Sequence, residues 1–578
     1  MRGMGDRLAT RVQPIATVGG MSRRLFVQGV GGSALALAAG KRGALGADAP
    51  LPAVLRGTRF ELEIGSLPVN FTGRPRLATA VNGQVPAPLL RFREGDPISV
   101  RVRNRLAVRT SIHWHGLLVP ANMDGVPGLS FDGIDAGATF TYEFRAQQSG
   151  TYWYHSHARF QEQTGLYGPI IIEPAGGERH AVERDYVVLL SDWTDEDPEH
   201  IYATLKRDSE YFNFAQRTVG DFFADARARG WREAFAQRRM WGQARMDPTD
   251  LVDVSGYTYT YLMNGVTPAG NWSGEFQRGE RVKLRFINGS SMSFFDVRIP
   301  GLAMTVVAAD GQDVAAVSVE EFRIGAGEVY DVIVQPPAEQ AYTIFAQSMD
   351  GSGFARGTLA PRAGMQAPIP AMDPRPQLSI ADMGMGDDMA SMPAMARARP
   401  PDAGNPGVDM RVSTPDDALD DPGVGLRDNG RRVLTYADLH TLGGPLDARA
   451  PRREIELHLT GHMQRFMWSF DGRKFSEAPP LEFLHGERLR IVLVNDSMMT
   501  HPIHLHGMWS EIESAAGVFQ VRKHTVIVRP AQKLSYRVSA MAAGRWAFHC
   551  HLLYHMEAGM FREVTVTAAN AMAAAARS

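Results

Sequence analysis

The chain has 578 residues, room for up to four domains of about 150 residues each. Its 61 lysines and arginines nearly cancel 63 aspartates and glutamates, leaving a formal net charge of −2 and none of the basic surplus of a nucleic-acid binder. Hydrophobic residues at 44% supply several cores, while a single cysteine, Cys550, excludes a disulfide framework and any four-thiolate metal site.

Residues 1–47 read as an address rather than as part of a fold. Ser22-Arg23-Arg24-Leu25-Phe26-Val27 precedes a weakly apolar stretch, then Lys41-Arg42, then the small residues Ala44-Leu45-Gly46-Ala47. The pattern resembles a bacterial twin-arginine export signal. It implies the twin-arginine export machinery as a partner and the periplasm as the destination. No stretch reaches the roughly 18 apolar residues of a membrane span; the most apolar one is broken by Gln28 and by glycines.

Beyond this leader one pattern recurs. Phe92, Gly95 and Asp96 precede Ile98, Val100, Val102 and Asn104. Phe276, Gly279 and Glu280 precede Val282, Leu284, Phe286 and Asn288. Phe483, Gly486 and Glu487 precede Leu489, Ile491, Leu493 and Asn495. Apolar residues at every second position predict half-buried strands. A turn dipeptide precedes each copy (Asn82-Gly83, Asn264-Gly265, Asp471-Gly472), and an aromatic strand closes each unit. Three related β-sandwich domains follow, over residues 48–178, 182–362 and 430–568. Val219, Phe222, Phe223 and Ala226 predict one or two helices inserted in the second domain at about 195–247. Residues 363–429, rich in Met, Pro, Gly and Asp, predict a linker or mobile loop.

Most of the 17 histidines gather in four motifs at equivalent places of the outer copies. His113-Trp114-His115 and His501-Pro502-Ile503-His504-Leu505-His506 follow the strand that ends in asparagine. His155-Ser156-His157 and His549-Cys550-His551 end the closing strand. The middle copy has Ser291 to Phe295 and Phe345-Ala346-Gln347 there, without histidine. Residues i and i+2 share a strand face, so each His-x-His pair can reach one cluster while Cys550 faces the other way. Cys550 with His501, His555 and Met560 makes two imidazoles, a thiolate and a weak thioether, the donor set of a blue-copper electron-transfer site. Imidazole-rich motifs without carboxylates suit copper better than calcium or magnesium. Zinc closes its sites with about four ligands and would leave most of these histidines unused.

In this order the four motifs resemble those of the multicopper oxidases, over roughly residues 50–568. The resemblance implies an all-β fold of three consecutive cupredoxin-like Greek-key β-sandwich domains. It also implies four copper ions: one type 1, one type 2 and a type 3 pair. Carried over, His501, Cys550, His555 and Met560 match the type 1 ligands, and His113 and His504 the type 2 ligands. His115, His155, His157, His506, His549 and His551 match the type 3 pair. Asp124 matches the acid that assists proton delivery to dioxygen. Some relatives place a carboxylate directly after the second type 1 histidine; here Met556 stands there and Glu557 follows, which leaves the second proton donor unassigned. The implied reaction draws single electrons from a reductant through Cys550 and turns dioxygen into water.

Within that family, the leader, the helical insertion and a methionine tract resemble the copper-resistance oxidases of the bacterial periplasm. The tract holds Met383, Met385, Met389, Met392 and Met395. Soft thioethers select Cu(I), so Cu(I) is the expected reductant, with dioxygen as oxidant. A laccase-like oxidase of small organic reductants such as phenols is the alternative, and a periplasmic copper-sequestering protein is a third reading. Storage needs no cysteine-linked electron route, which argues against the third.

Overall fold

The structure, a computed structural model, describes residues 53–244, 246–384, 405 and 407–567. The twin-arginine pattern at Arg23 and Arg24 lies outside the described residues, as do Met385, Met389, Met392 and Met395. Among the described residues, no helix is long and apolar enough to cross a membrane.

Strands dominate. Among the described residues they form six sheets, two in each of three successive stretches of chain. In the first stretch, Leu62, Val100 and Tyr142 of one sheet share a core with Leu90, Tyr152 and Ile170 of the other. The protein is thus all-β, built of consecutive cupredoxin-like sandwiches. One parallel pairing recurs in all three: Arg59–Val69 beside Pro97–Asn104, Arg184–Trp193 beside Val282–Asn288, and Arg453–His462 beside Arg488–Asn495. The apolar cores of the second and third sandwiches merge into one cluster. The first keeps its own core, capped by Trp509 from the third.

Local chemistry explains these elements. The dipeptides Asn82-Gly83, Asn264-Gly265 and Asp471-Gly472 all have positive φ, between 50° and 76°. Paired left-handed residues make the tight turn whose twist matches that of the flanking strands. Asn104, Asn288 and Asn495 act alike at the ends of their strands. The Asn104 side-chain N–H donates to the carbonyls of Val108 and Ile134 (both 2.8 Å). Asn288 donates to Ser293 and Ile324 (2.8 and 3.0 Å), and Asn495 to Met499 and Val528 (2.7 and 3.0 Å). Each amide therefore ties down the loop that, in the outer sandwiches, leads straight into a histidine motif.

The insertion differs from its expectation. Among its described residues it contains three helices, Pro198–Arg207, Val219–Arg229 and Trp231–Ala244, where one or two are predicted. Asp197 caps the first, a Thr218–Asp221 capping box starts the second, and Gly230 at φ 92° separates the second from the third. Ala226 is buried, but Val219 and Phe223 stand exposed. Residues 363–384 and 407–429 are irregular yet held. Leu378, Met383 and Leu426 are buried, and Arg427 bonds both Asp382 and Asp421.

Candidate copper centres

Two strand pairs carry the motifs. His113–His115 lies antiparallel to Gly150–His155 with His113 opposite His155. His501–Leu505 lies antiparallel to Gly544–Cys550 with His504 opposite His549 and Ile503 opposite Cys550. Trp114 and Tyr154, between and beside the histidines, point into the first core, so alternation delivers the imidazoles to the opposite face. The two pairs meet at the contact of the first and third sandwiches. There His113 stacks on His506 and His115 on His504, both with ring centroids 3.9 Å apart.

The eight histidines expected there do converge. His113, His155 and His157; His113, His115 and His504; His115, His155 and His551; and His157, His506 and His549 form groups whose ligand atoms lie within 4.8 Å of one another. Six of the eight rings have one nitrogen held from behind. Nδ1 of His113 bonds the Asp124 carbonyl (2.8 Å), Nδ1 of His504 the His524 carbonyl (2.6 Å), and Nδ1 of His506 the Asp124 carboxylate (2.8 Å). Nδ1 of His549 bonds the Cys550 carbonyl (2.9 Å), and Nδ1 of His155 lies 2.6 Å from Glu162 Oε2. His115 is turned around, with Nε2 on the Thr525 hydroxyl at 3.0 Å. The inward atoms, Nε2 of His113, His155, His157 and His504 and Nδ1 of His115, are buried without a partner. Such orphaned lone pairs around one centre are what a metal cluster satisfies.

Burial, reinforced by neighbouring imidazoles, pushes His115, His155, His157, His504, His506 and His551 well below the ordinary histidine range. Burial brings His549 down to about 3. The rings are neutral near pH 7, the form that binds metal.

On the other face of the closing strand a second donor set forms. Cys550 Sγ lies 3.5 Å from His501 Nδ1 and 3.8 Å from His555 Nδ1, and the two nitrogens are 3.2 Å apart. The far nitrogens are anchored, His501 Nε2 to the Ser497 hydroxyl (2.7 Å) and His555 Nε2 to Asp253 Oδ2 (2.7 Å). Trp468 stacks on His555 at 3.9 Å. Met560 is fully buried, and its backbone bonds both Cys550 and His555. Burial pushes the Cys550 thiol up, so a thiolate here requires a cation beside it. Both donor sets fit copper.

Asp124 lies at the cluster, 1% exposed and touching both His113 and His506. Glu557 does not; its carboxylate pairs with Arg159. Glu162 lies there instead, with one oxygen on His155 and the other 4.0 Å from His551 Nδ1. Burial, with Asp192 nearby, raises its pKa well above the carboxylate range. Met383 is packed in the apolar core at 1% exposure. Glu162, Asp253, Ser497, Trp468, His524 and Thr525 escape sequence reading because isolated residues, four in loops and two on short strands, carry no periodicity of their own.

The chain as a whole is similar to known proteins. Three multicopper oxidase family segments match residues 63–177, 184–363 and 448–570. Copper resistance protein A of Pseudomonas syringae pv. tomato is 53% identical, over 94% of this chain and 99% of the relative. Copper resistance protein A of Escherichia coli is also 53% identical, with the same coverage. Among solved structures, Fet3p, a multicopper oxidase that functions in iron import, superposes with a TM-score of 0.63 at 19% identity, covering 89% of this chain and 90% of that one. That likeness speaks for the fold. With its family segments and these relatives spanning nearly the whole sequence, the chain is a copper-dependent oxidoreductase that belongs to the multicopper oxidase family.

Proposed function

We propose that the protein oxidises Cu(I) to Cu(II) at the expense of dioxygen, in the service of copper resistance. The observation that carries this reading is the position of Cys550. Its sulfur belongs to one donor set, while its covalent neighbours His549 and His551 belong to the other.

In this reading His501, Cys550, His555 and Met560 hold a type 1 copper, and His113 and His504 a type 2 copper. His115, His155, His157, His506, His549 and His551 hold a type 3 pair. Bound copper would supply one-electron acceptance at the first site and four-electron reduction of dioxygen to two waters at the cluster. The protein's own part is orientation and proton supply. Asp253 fixes the His555 ring and presents a negative group beside the type 1 ligands, which favours a cationic reductant. Asp124 holds His506 from behind and sits where a proton can be kept beside the cluster. The thioethers of Met385, Met389, Met392 and Met395 offer soft ligands for incoming Cu(I). The Arg23-Arg24 leader supports export of the folded protein to the periplasm.

Oxygen uptake with Cu(I) and with a bulky phenol, before and after deletion of residues 383–395, tests the proposal. Preferential loss of Cu(I) turnover supports it. A phenol rate that exceeds the Cu(I) rate and ignores the deletion marks a laccase-like oxidase instead. Copper retention without oxygen uptake marks a sequestering protein.

A further inference from the structure

We propose that the middle sandwich, which carries none of the histidine motifs, sets the geometry of the cluster through Asp310, with Lys523 and Glu328 as its support. Asp310 stands just after strand Met304–Ala309. Its Oδ2 accepts the backbone N–H of His524 (3.0 Å) and of Thr525 (3.1 Å), two consecutive residues of the third sandwich. Those residues in turn hold two of the imidazoles. The His524 carbonyl accepts Nδ1–H of His504 at 2.6 Å, and the Thr525 hydroxyl lies 3.0 Å from Nε2 of His115. One carboxylate therefore clamps the short segment that decides which nitrogen of each ring is left free. The atoms left free are Nε2 of His504 and Nδ1 of His115, both buried and unpartnered. The two rings stack at 3.9 Å.

Asp310 is itself held from behind. Its Oδ1 accepts the Val329 N–H (2.9 Å) and lies 3.1 Å from Lys523 Nζ. Lys523 Nζ is also 2.9 Å from Glu328 Oε1, and all three side chains are at most 1% exposed. Glu328 Oε1 accepts the Tyr436 hydroxyl (2.9 Å), and its Oε2 the Gly325 N–H (2.8 Å). Burial works against the Lys523 charge, but the two carboxylates outweigh it and keep the ammonium protonated. Three buried ions are a costly way to join two domains, and the merged apolar core already joins these two. What an ion triad adds is register. Gly327, between the same two residues' anchors, confirms how closely this hairpin approaches: at φ 88°, an added Cβ would sit 3.0 Å from His551 and 3.2 Å from His115. The middle sandwich thus touches the cluster without supplying a ligand.

The inference rests on the assignment of His115 and His504 as copper ligands. Its test is Asp310→Asn in the copper-loaded full chain. An asparagine offers one oxygen and one NH₂, so it must face either Lys523 or the two amides with a donor. The blue absorption per chain, which reports the separate Cys550 site, should stay at the wild-type level and serves as the gauge of folding. The type 2 electron paramagnetic resonance signal should shift its hyperfine splitting, and type 2 copper should be retained about 10–100-fold less tightly against a chelator. Unchanged hyperfine splitting and retention overturn the positioning role. A wild-type chain that shows no type 2 signal overturns the ligand assignment instead. If Asp310→Asn does not accumulate, Glu328→Gln, which leaves the Asp310 contacts in place, decides. A smaller shift of the same signal supports the inference, and an unchanged signal ends it.

Discussion

The Nε2 atoms of His506 and His549 face each other at 3.0 Å across the cluster. Both rings have given their N–H away on the far side, to the Asp124 carboxylate and the Cys550 carbonyl. Two lone pairs are therefore turned toward one another in a buried place, an arrangement that is repulsive until a cation lies between them.

Copper removal should accordingly destabilise the folded protein. A ligand that binds only the folded state adds about 2.7 kcal/mol at a free concentration of about 100 Kd. Thermal unfolding of chelator-stripped and copper-reloaded protein checks this, with metal analysis expected to find four coppers per chain. Recovery of zinc alone, with no copper, would end the reading.

Cys550→Ser removes the soft ligand and changes little volume. The blue band and oxygen reduction by external donors should vanish, while the fold and much of the cluster copper remain. Met560→Leu should keep the colour and shift the rate, because an axial thioether tunes the potential without carrying the site. Absorption spectra and oxygen uptake of the two variants separate these outcomes. Undiminished Cu(I) turnover by Cys550→Ser would mean that electrons reach the cluster by another path.

Asp253→Asn keeps an acceptor for the His555 Nε2–H but removes the negative charge. Cu(I) oxidation should slow about tenfold, the size of ~1.4 kcal/mol, while oxidation of a neutral phenol changes much less. Paired rate measurements with the two donors give the result; equal losses would assign Asp253 to ring orientation alone.

The copper-free protein should lose stability in acid. Burial lowers His549 to about 3 and His524 to about 4, from the ordinary value of 6.5. The unfolded chain thus binds these protons first, so stability is fully present above pH 6.5 and declines as pH falls toward 4 and 3. Urea unfolding of the stripped protein at pH 7 and at pH 5 should show the lower midpoint at pH 5. A midpoint that rises at pH 5 would contradict the assignment of neutral buried rings.

Strand alternation, the His-x-His pairs and the Cys550–His555–Met560 spacing were legible along the chain because each is a local pattern. Period two puts two imidazoles on one face and the sulfur on the other whatever the rest of the molecule does. The same logic falters for the helical insertion. Val219 and Phe223 keep helical spacing yet lie exposed, so the spacing there reports a helix but not a buried face.

Partners brought in from afar were decided by the tertiary structure alone. Asp253 meets His555 across 302 residues, and Asp310 meets the amides of His524 and Thr525 across 214 and 215. Glu557, next to the motif in sequence, is drawn off to Arg159, while Glu162 arrives at the cluster from the first sandwich. Which residues can serve as ligands follows from residue type at fixed short spacing, which the chain carries in itself. The second layer that orients those ligands depends on how three sandwiches dock. Docking is settled by the summed burial of their surfaces, a quantity that no short segment of sequence contains.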